Sequence, residues 1–399
     1  MNIDLNMTIK ELLEQIPEAK SLLHSYGLGK FEKDEVVKSL GSVLKVRSAL
    51  NMAQSDPQSF ADAVAELVKE TDGDFAENYS NQKSLSMLGL LPCGMKMPFK
   101  RRFEEFYAEL PNKSELNCLI EGNVNHELSY YPYIDTLEEI DELPDVIVSA
   151  DINSFLHKGF YEKFIKTGYF EAVKMNSDNQ DFAGTDYLNP DGAYTMLSAN
   201  ILVIVENKNL SSGIKRPNKW SDLLLPVFEN SVTMRGQNNF FCSGVLLPFY
   251  KDYGEAGIHD MARTVKAGLH PAEMVEEIER GKGGTPFYIM PLFFAQRLKD
   301  PDKFSIIYPE EGAIISPVFM LVKKNRKTDA AVIADFIVNK EMGQFCANAG
   351  FPSVRSDVNN HLPEGCKLSW MGWDFLRGED PLIVKQKIED IFSTYFTHE

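Results

Sequence analysis

YTMLSANILVIV, residues 194–205, is followed at once by Glu206, Asn207 and Lys208. The apolar, β-branched run over 201–206 predicts a strand. After a short polar stretch come Arg216-Pro217-Asn218-Lys219-Trp220-Ser221-Asp222-Leu223-Leu224 and Pro226-Val227-Phe228. Proline and polar residues at this density predict a turn rather than a regular element. Ser231, Val232, Thr233 and Met234 then read as a short strand that leads into Arg235-Gly236-Gln237.

The same texture extends outward. Strands are predicted over 84–91, 116–120 and 145–149, ending at Pro92-Cys93-Gly94, Glu121-Gly122-Asn123 and Ala150-Asp151. Further strands fit 306–308 and 318–322. Helices fit 98–109, 256–267, 271–281, 291–298, 328–339, 341–349 and 381–395. Alternating short strands and helices predict an α/β domain. The first 75 residues differ. Thr8 and Glu11 have the spacing of a capping box, and Ile9, Leu12, Leu13 and Ile16 follow at helical intervals. Pro17 suits the start of a second helix over 17–26, and Gly27 suits its stop. Further helices fit 34–40, 42–54 and a segment opening at Asp56-Pro57. The polar stretch TDGDFAENYSNQK, residues 71–83, reads as a linker, with its core at 76–83.

Bulk properties narrow the function. A chain of 399 residues predicts two or three domains. Its net charge of −17 argues against a nucleic-acid partner, which needs clustered Lys and Arg. No apolar run is long enough to make a transmembrane segment. Residues 1–10 carry Asp4 and no apolar core, so no secretory signal reads from them and a cytoplasmic protein is expected, with export as the alternative if a signal was trimmed. Cys93, Cys118, Cys242, Cys346 and Cys366 are odd in number and lack a CxxC pair, which predicts thiols in a reducing compartment. Phosphate-loop, serine-hydrolase and HExxH motifs do not occur.

The ordered set of features resembles the ferric-iron-type substrate-binding proteins of ABC transporters. In that family a strand crosses between lobes and a P-x-x-W-x-D-L turn follows, as at Pro217-Trp220-Asp222-Leu223. Glu279-Arg280-Gly281-Lys282-Gly283-Gly284 with the segment 285–291 resembles its helix, glycine and return strand. Tyr308-Pro309-Glu310-Glu311-Gly312 resembles its crossing back, and Gly343-Gln344 with Gly350-Phe351-Pro352 its late helices. The resemblance covers residues 83 to 360. It implies an α/β, two-lobed type II periplasmic-binding-protein fold, with a small all-α N-terminal domain. Lobe 1 would be 84–197 with 313–399, and lobe 2 would be 198–312. The crossings would lie near Ser198-Asn200 and Glu310-Gly312, with a solute-sized gap between two sheet-based halves. Residues 1 to about 70 resemble the DUF1858 helical domain. Many members carry a cysteine pair after the Tyr-Gly turn; here that position reads Leu28-Gly29-Lys30-Phe31.

Loops at the carboxyl ends of strands converge on a crevice in such sheets. Cys93, Gly94 and Lys96 follow the first strand, Asn123, Asn125 and His126 the second, and Asp151, Asn153 and Ser154 the third. Ser198 lies at the crossing. Arg235, Gln237 and Asn238 follow the lobe 2 strand, and Arg235 could fork onto a carboxylate or oxyanion. Tyr288 follows the glycine pair. Tyr130-Tyr131 is a tyrosine pair, but the family's paired tyrosines belong near the glycine-rich segment, where this chain has Tyr288, so no iron site is carried over. The implied function is solute binding without enzymatic activity or a cofactor: two lobes close around a small anionic or polar ligand or a metal complex. The partner would be an ABC permease, or a cytoplasmic protein reached through the N-terminal domain. A cytoplasmic sensor or carrier on the same fold is the alternative. A Cys93-dependent enzyme with His126 as base is a third reading.

Overall fold

The computed structural model describes residues 4–16, 19–20, 23, 26–53, 55, 57–58, 60–61, 64, 85–111, 113–123, 130–237, 240–281, 283–326 and 328–396. The chain opens with α1 (Ile9–Gln15), α2 (Asp34–Ser39) and α3 (Val46–Met52). Thr8 and Glu11 form the capping box that their spacing predicts. The Thr8 hydroxyl accepts from the Glu11 amide at 3.2 Å, and the Glu11 carboxylate accepts from the Thr8 amide at 2.7 Å. These helices share a core of Ile9, Leu12, Tyr26, Phe31, Leu50 and Phe60, separate from the main core. The expected linker over 76–83 lies outside the described residues, as does most of the helix expected over 17–26.

Lobe 1 begins with β1 (Met87–Leu91), α4 (Cys93–Glu109), β2 (Cys118–Gly122), α5 (Tyr130–Thr136), β3 (Val146–Ala150) and β4 (Phe170–Glu171). β1 lies between β2 and β3, parallel to both. Every residue of β1 and β3 is buried, as parallel strands covered on both faces must be. The long β5 (Tyr194–Asn207) then leads into lobe 2. That lobe holds β6 (Val232–Gln237), β7 (Phe240–Phe241), α6 (Ser243–Thr264, broken at Gly254), β8 (Val265–Leu269), α7 (Pro271–Arg280), β9 (Phe287–Pro291), α8 (Leu292–Ala295) and β10 (Phe304–Ile307). β11 (Ala313–Lys323) returns to lobe 1, followed by α9 (Thr328–Ile337), α10 (Lys340–Asn348), β12 (Leu368–Ser369), α11 (Trp373–Gly378) and α12 (Pro381–Tyr395).

The two halves do not carry separate sheets. Their strands form one ladder in the order β2-β1-β3-β11-β5-β9-β6, because β5 and β11 are long enough to serve both. On the lobe 1 side β11 pairs with β3 over 318–322; on the lobe 2 side β5 pairs with β9 over 202–206. Between these, Ile314–Val318 faces Ser198–Leu202 without a break. Leu197 is left unpaired by a bulge, and its carbonyl accepts instead from the Val354 amide. The change of partners on β11 therefore falls near Ser316-Pro317, later than the expected crossing at 310–312.

The Trp220 turn is held by its own motif. The Asp222 carboxylate accepts from the amides of Asn218 and Lys219 at 2.8 and 3.0 Å, and the Trp220 indole donates to the Gly312 carbonyl at 2.8 Å. The turn is thus pinned to the returning chain, which explains the tryptophan and aspartate at that spacing.

Two placements differ from expectation. The segment 256–267 does not stay helical: the chain becomes β8 at Val265, whose β-branched side chain suits a strand, and Gly268 lets β8 lie close against Gly236 of β6. The C-terminal helix α12, expected within lobe 1, lies along α6 of lobe 2. The Phe392 ring lies tilted 4.5 Å from that of Phe241, and Lys387 pairs with Glu255 at 2.5 Å. Its first turns stay on lobe 1, where Lys385 donates to the Ile152 carbonyl at 2.5 Å. An amphipathic helix packs where its apolar face finds cover, and here that cover straddles both lobes.

The helical N-terminal bundle meets lobe 2 at the C-terminal end of α7. Arg280 donates to the Ser55 hydroxyl and pairs with Glu276 at 3.4 Å. Its guanidinium lies so close to Gly27 that a Cβ there would come within 3.1 Å.

Candidate functional site

The carboxyl ends of β1, β2 and β3 in lobe 1 face those of β6 and β9 in lobe 2, the position where open α/β sheets gather ligand groups. Asn123, just past β2, and Asp151, just past β3, line one hollow with Arg235 of β6. Asn200 of β5 and Ser316 of β11 line it from the crossing strands, and His270, Phe293 and Phe294 line it from lobe 2. The hollow holds about 30 Å³, on the order of one or two waters, rather than the solute-sized gap expected.

Asp151 sits at φ +71, a left-handed conformation that Asp tolerates better than most residues. That bend turns its carboxylate toward the other lobe. Oδ1 accepts from the Ser316 hydroxyl at 3.0 Å and the Ile152 amide at 2.9 Å. It also lies where a Cβ on Gly244, at the start of α6, would come within 3.2 Å. Asn123 is buried and Asn200 half-buried, and among the described residues neither Oδ1 has a hydrogen-bond partner.

One side of the hollow is apolar and continues into a seam between the lobes. Phe293 of α8 lies over Gly94 in the first turn of α4, where a Cβ would meet the ring at 2.3 Å. Its other neighbours are Phe294 at 4.3 Å, Phe351 at 4.9 Å and Gly350. Beyond it a second, wider hollow of about 340 Å³ is lined by Gln296, Asn348, Asn360 and His361. The Asn360 amide there is spent: it accepts from the Ser353 amide and donates to Asp181 and to the Ser353 carbonyl. The smaller hollow, with unpaired buried oxygens and charges of both signs, is the better candidate.

The structure therefore brings together Asn123, Asp151 and Arg235 of the expected residues and sets Gly94 on the adjoining seam. Lys96 is engaged elsewhere, its ammonium 3.1 Å from the Glu121 carboxylate. Asn153 supports the turn below the site, donating to Ser149 and the Ala150 carbonyl and accepting from the Phe155 amide. Two expected residues lie away from the cleft. Ser198 is buried inside lobe 1 beside Met95, Phe99 and Arg355. Tyr288 lies at the start of β9, whose cleft end is Pro291, and it is fully buried. Its hydroxyl donates to Glu277 at 3.0 Å and accepts from the Thr285 amide at 3.2 Å. The side chains of Cys93 and Gln237, and all of Asn125, His126 and Asn238, lie outside the described residues. Asn200, Ser316 and Phe293 were missed. Asn200 could have been found, since an amide interrupting the apolar run of 194–205 needs a partner.

The Tyr288 contact carries a pH prediction. Burial holds the Glu277 carboxyl above its usual range, opposed by the Tyr288 hydroxyl bond. The folded state thus keeps a proton that the unfolded chain has released, and stability falls as pH rises through 4.5 toward the raised value. Glu277→Gln keeps an acceptor for Tyr288 and removes the charge. Its melting temperature should exceed the parent's at neutral pH and approach it below 4.5; a gap that does not change with pH would refute the assignment.

A family model described as bacterial extracellular solute-binding protein matches residues 141–379. The chain belongs to that family. A second model, the DUF1858 domain of unknown function, matches residues 3–60. Solved structures share the fold of the solute-binding family. A putative extracellular solute-binding protein from Bordetella parapertussis has a TM-score of 0.55 and 14% identity, covering 79% of this chain and 100% of that one. A Bordetella ferric binding protein has a TM-score of 0.52 and 13% identity, covering 78% and 98%. A ferric binding protein from Campylobacter jejuni has a TM-score of 0.51 and 16% identity, covering 78% and 98%. No curated protein matches. The family is one of binding proteins, so the chain is a solute-binding protein and not an enzyme. Burial pushes the thiols of Cys118 and Cys346 up to about 12 and that of Cys366 to about 11, far from a thiolate at neutral pH. Among the described residues no helix is long and apolar enough to cross a membrane. The family's extracellular description does not support the expected cytoplasmic location and agrees with the export alternative.

Proposed function

We propose that this solute-binding protein captures a small anionic or polar solute by closing its two lobes over Arg235 and Asp151, and presents it to the permease of an ABC transporter outside the cytoplasm. The observation that carries the reading is convergence. Asn123 and Asp151 come from lobe 1 and Arg235 from lobe 2, yet all three line one hollow. A solute there would be touched by both halves, so binding it would favour the closed arrangement over the open one. Arg235 offers planar, paired donors to a carboxylate or oxyanion.

Thermal-shift measurements on the full chain test this. Small carboxylates, oxyanions and amino acids are screened, and at least one should raise the melting temperature, because binding restricted to the folded state stabilises it by about 2.7 kcal/mol at a hundredfold excess over Kd. Arg235→Met should weaken that solute by roughly thirtyfold or more, the cost of losing one partner of a buried charge pair. A screen without any shift, or an Arg235→Met protein that binds normally, would overturn the proposal.

A further inference from the structure

We infer that the N-terminal bundle is docked on lobe 2 and moves with it, although the chain joins the bundle to lobe 1. The bundle core ends at Val64, and β1 of lobe 1 begins at Met87. The residues between, 65–86, could span at most roughly 75 Å when fully extended. A tether of that reach does not decide which half the bundle follows. A contact has to decide it, and the contact is a socket for Arg280.

Helix α7 buries Met274 and Ile278 in the main core. Glu276 lies two positions from each of them, and Arg280 two positions beyond Ile278, on the opposite face of the helix. On a surface helix that face is solvated. Here Glu276 is only 8% exposed, and the Arg280 side chain 23%. The cover over Arg280 comes from the bundle. Its guanidinium passes beside Gly27 and donates to the Ser55 hydroxyl. Ser55 is buried and donates in turn to the Tyr26 carbonyl at 2.8 Å. Tyr26 packs edge-on against Phe60 at 5.0 Å, which ties the socket to the bundle core. A polar chain therefore crosses the boundary, from the Tyr26 carbonyl through Ser55 and Arg280 to the Glu276 carboxylate. A cation in the last turn of a helix also favours the helix dipole, but that role is met in water and asks for no cover. An arginine held between two domains is different. It has a partner on each side, and parting them would strand polar groups that now satisfy one another. Opening of the lobes would then move the bundle relative to lobe 1 and not relative to lobe 2.

Double electron–electron resonance on the full chain tests the docking. It needs no solute, so its outcome is independent of solute capture. Spin labels are placed at Val43 in the bundle and Val227 in lobe 2, both exposed. They are introduced as non-natural residues, which leaves the native cysteines unlabelled. The parent should give one narrow distance distribution. Arg280→Ala should broaden it toward the spread of an unrestrained tether of this length, whose r.m.s. span is about 25 Å. Ser55→Ala removes the acceptor from the bundle side, leaves α7 unchanged and should broaden the distribution as well. Arg280→Lys keeps the charge without the planar fork and should fall between parent and Arg280→Ala. A broad distribution in the parent, or one that stays narrow in folded Arg280→Ala, would overturn the inference. Should Arg280→Ala not fold, Ser55→Ala takes its place in that comparison.

Discussion

A methyl group at position 94 should hold the lobes apart. In Gly94→Ala the new Cβ would sit 2.3 Å from the ring of Phe293, far inside van der Waals contact. The ring has little room to retreat, because Gly350 lies against its Cβ and Phe294 and Phe351 flank it. Overpacking of this kind costs about 1–3 kcal/mol in a closed core. At a seam the same strain can be relieved by separating the two halves. The expected result is a folded protein with a larger radius of gyration in solution scattering and solute affinity weakened about tenfold to a hundredfold. Phe293→Ala added to Gly94→Ala should bring back both compactness and binding. If the single variant scatters like the parent and binds as tightly, the seam is not what limits closure.

Gly312→Ala should be strongly destabilising at the entry to β11. Gly312 has φ +108, outside what a side-chain-bearing residue adopts without strain, and its Cβ would lie 2.8 Å from the carbonyl carbon of Leu368. That neighbour is backbone, fixed by the pairing of β12 with β11, so it cannot swing away. Backbone strain and overpacking together predict a loss of roughly 3 kcal/mol or more. The Trp220 indole donates to the Gly312 carbonyl and should report the change directly. Urea unfolding followed by tryptophan fluorescence should show a lower midpoint and an altered starting spectrum; an unchanged midpoint would contradict the geometry.

The sequence made much of this visible, for reasons that can be named. The Thr8–Glu11 box, the Pro271 start and Gly281 stop of α7, and the span of α12 are written in local chemistry, and they appear where that chemistry puts them. Strand ends gave Asn123, Asp151 and Arg235, because crevice residues follow strands in chain order. What stayed hidden depends on partners remote in sequence. Nothing near α12 announces that its apolar face will find α6. Tyr288 looked like a site residue from its place after two glycines. Which end of β9 faces the cleft is decided by antiparallel pairing with β5, and that pairing puts the tyrosine at the far end. Phe293 reads as one more apolar residue until Gly94 is seen beneath it.

The unbroken pairing of Ser198–Leu202 with Ile314–Val318 has a mechanical consequence. A joint made of two hydrogen-bonded strands is a ribbon, and a ribbon twists far more readily than it stretches or shears. Separation of the halves would then be a torsion with an elastic return, and it would not require amides in the joint to give up their bonds. Deuterium should therefore enter the Phe293 surroundings long before it enters residues 199–202, even in a variant whose halves stand apart.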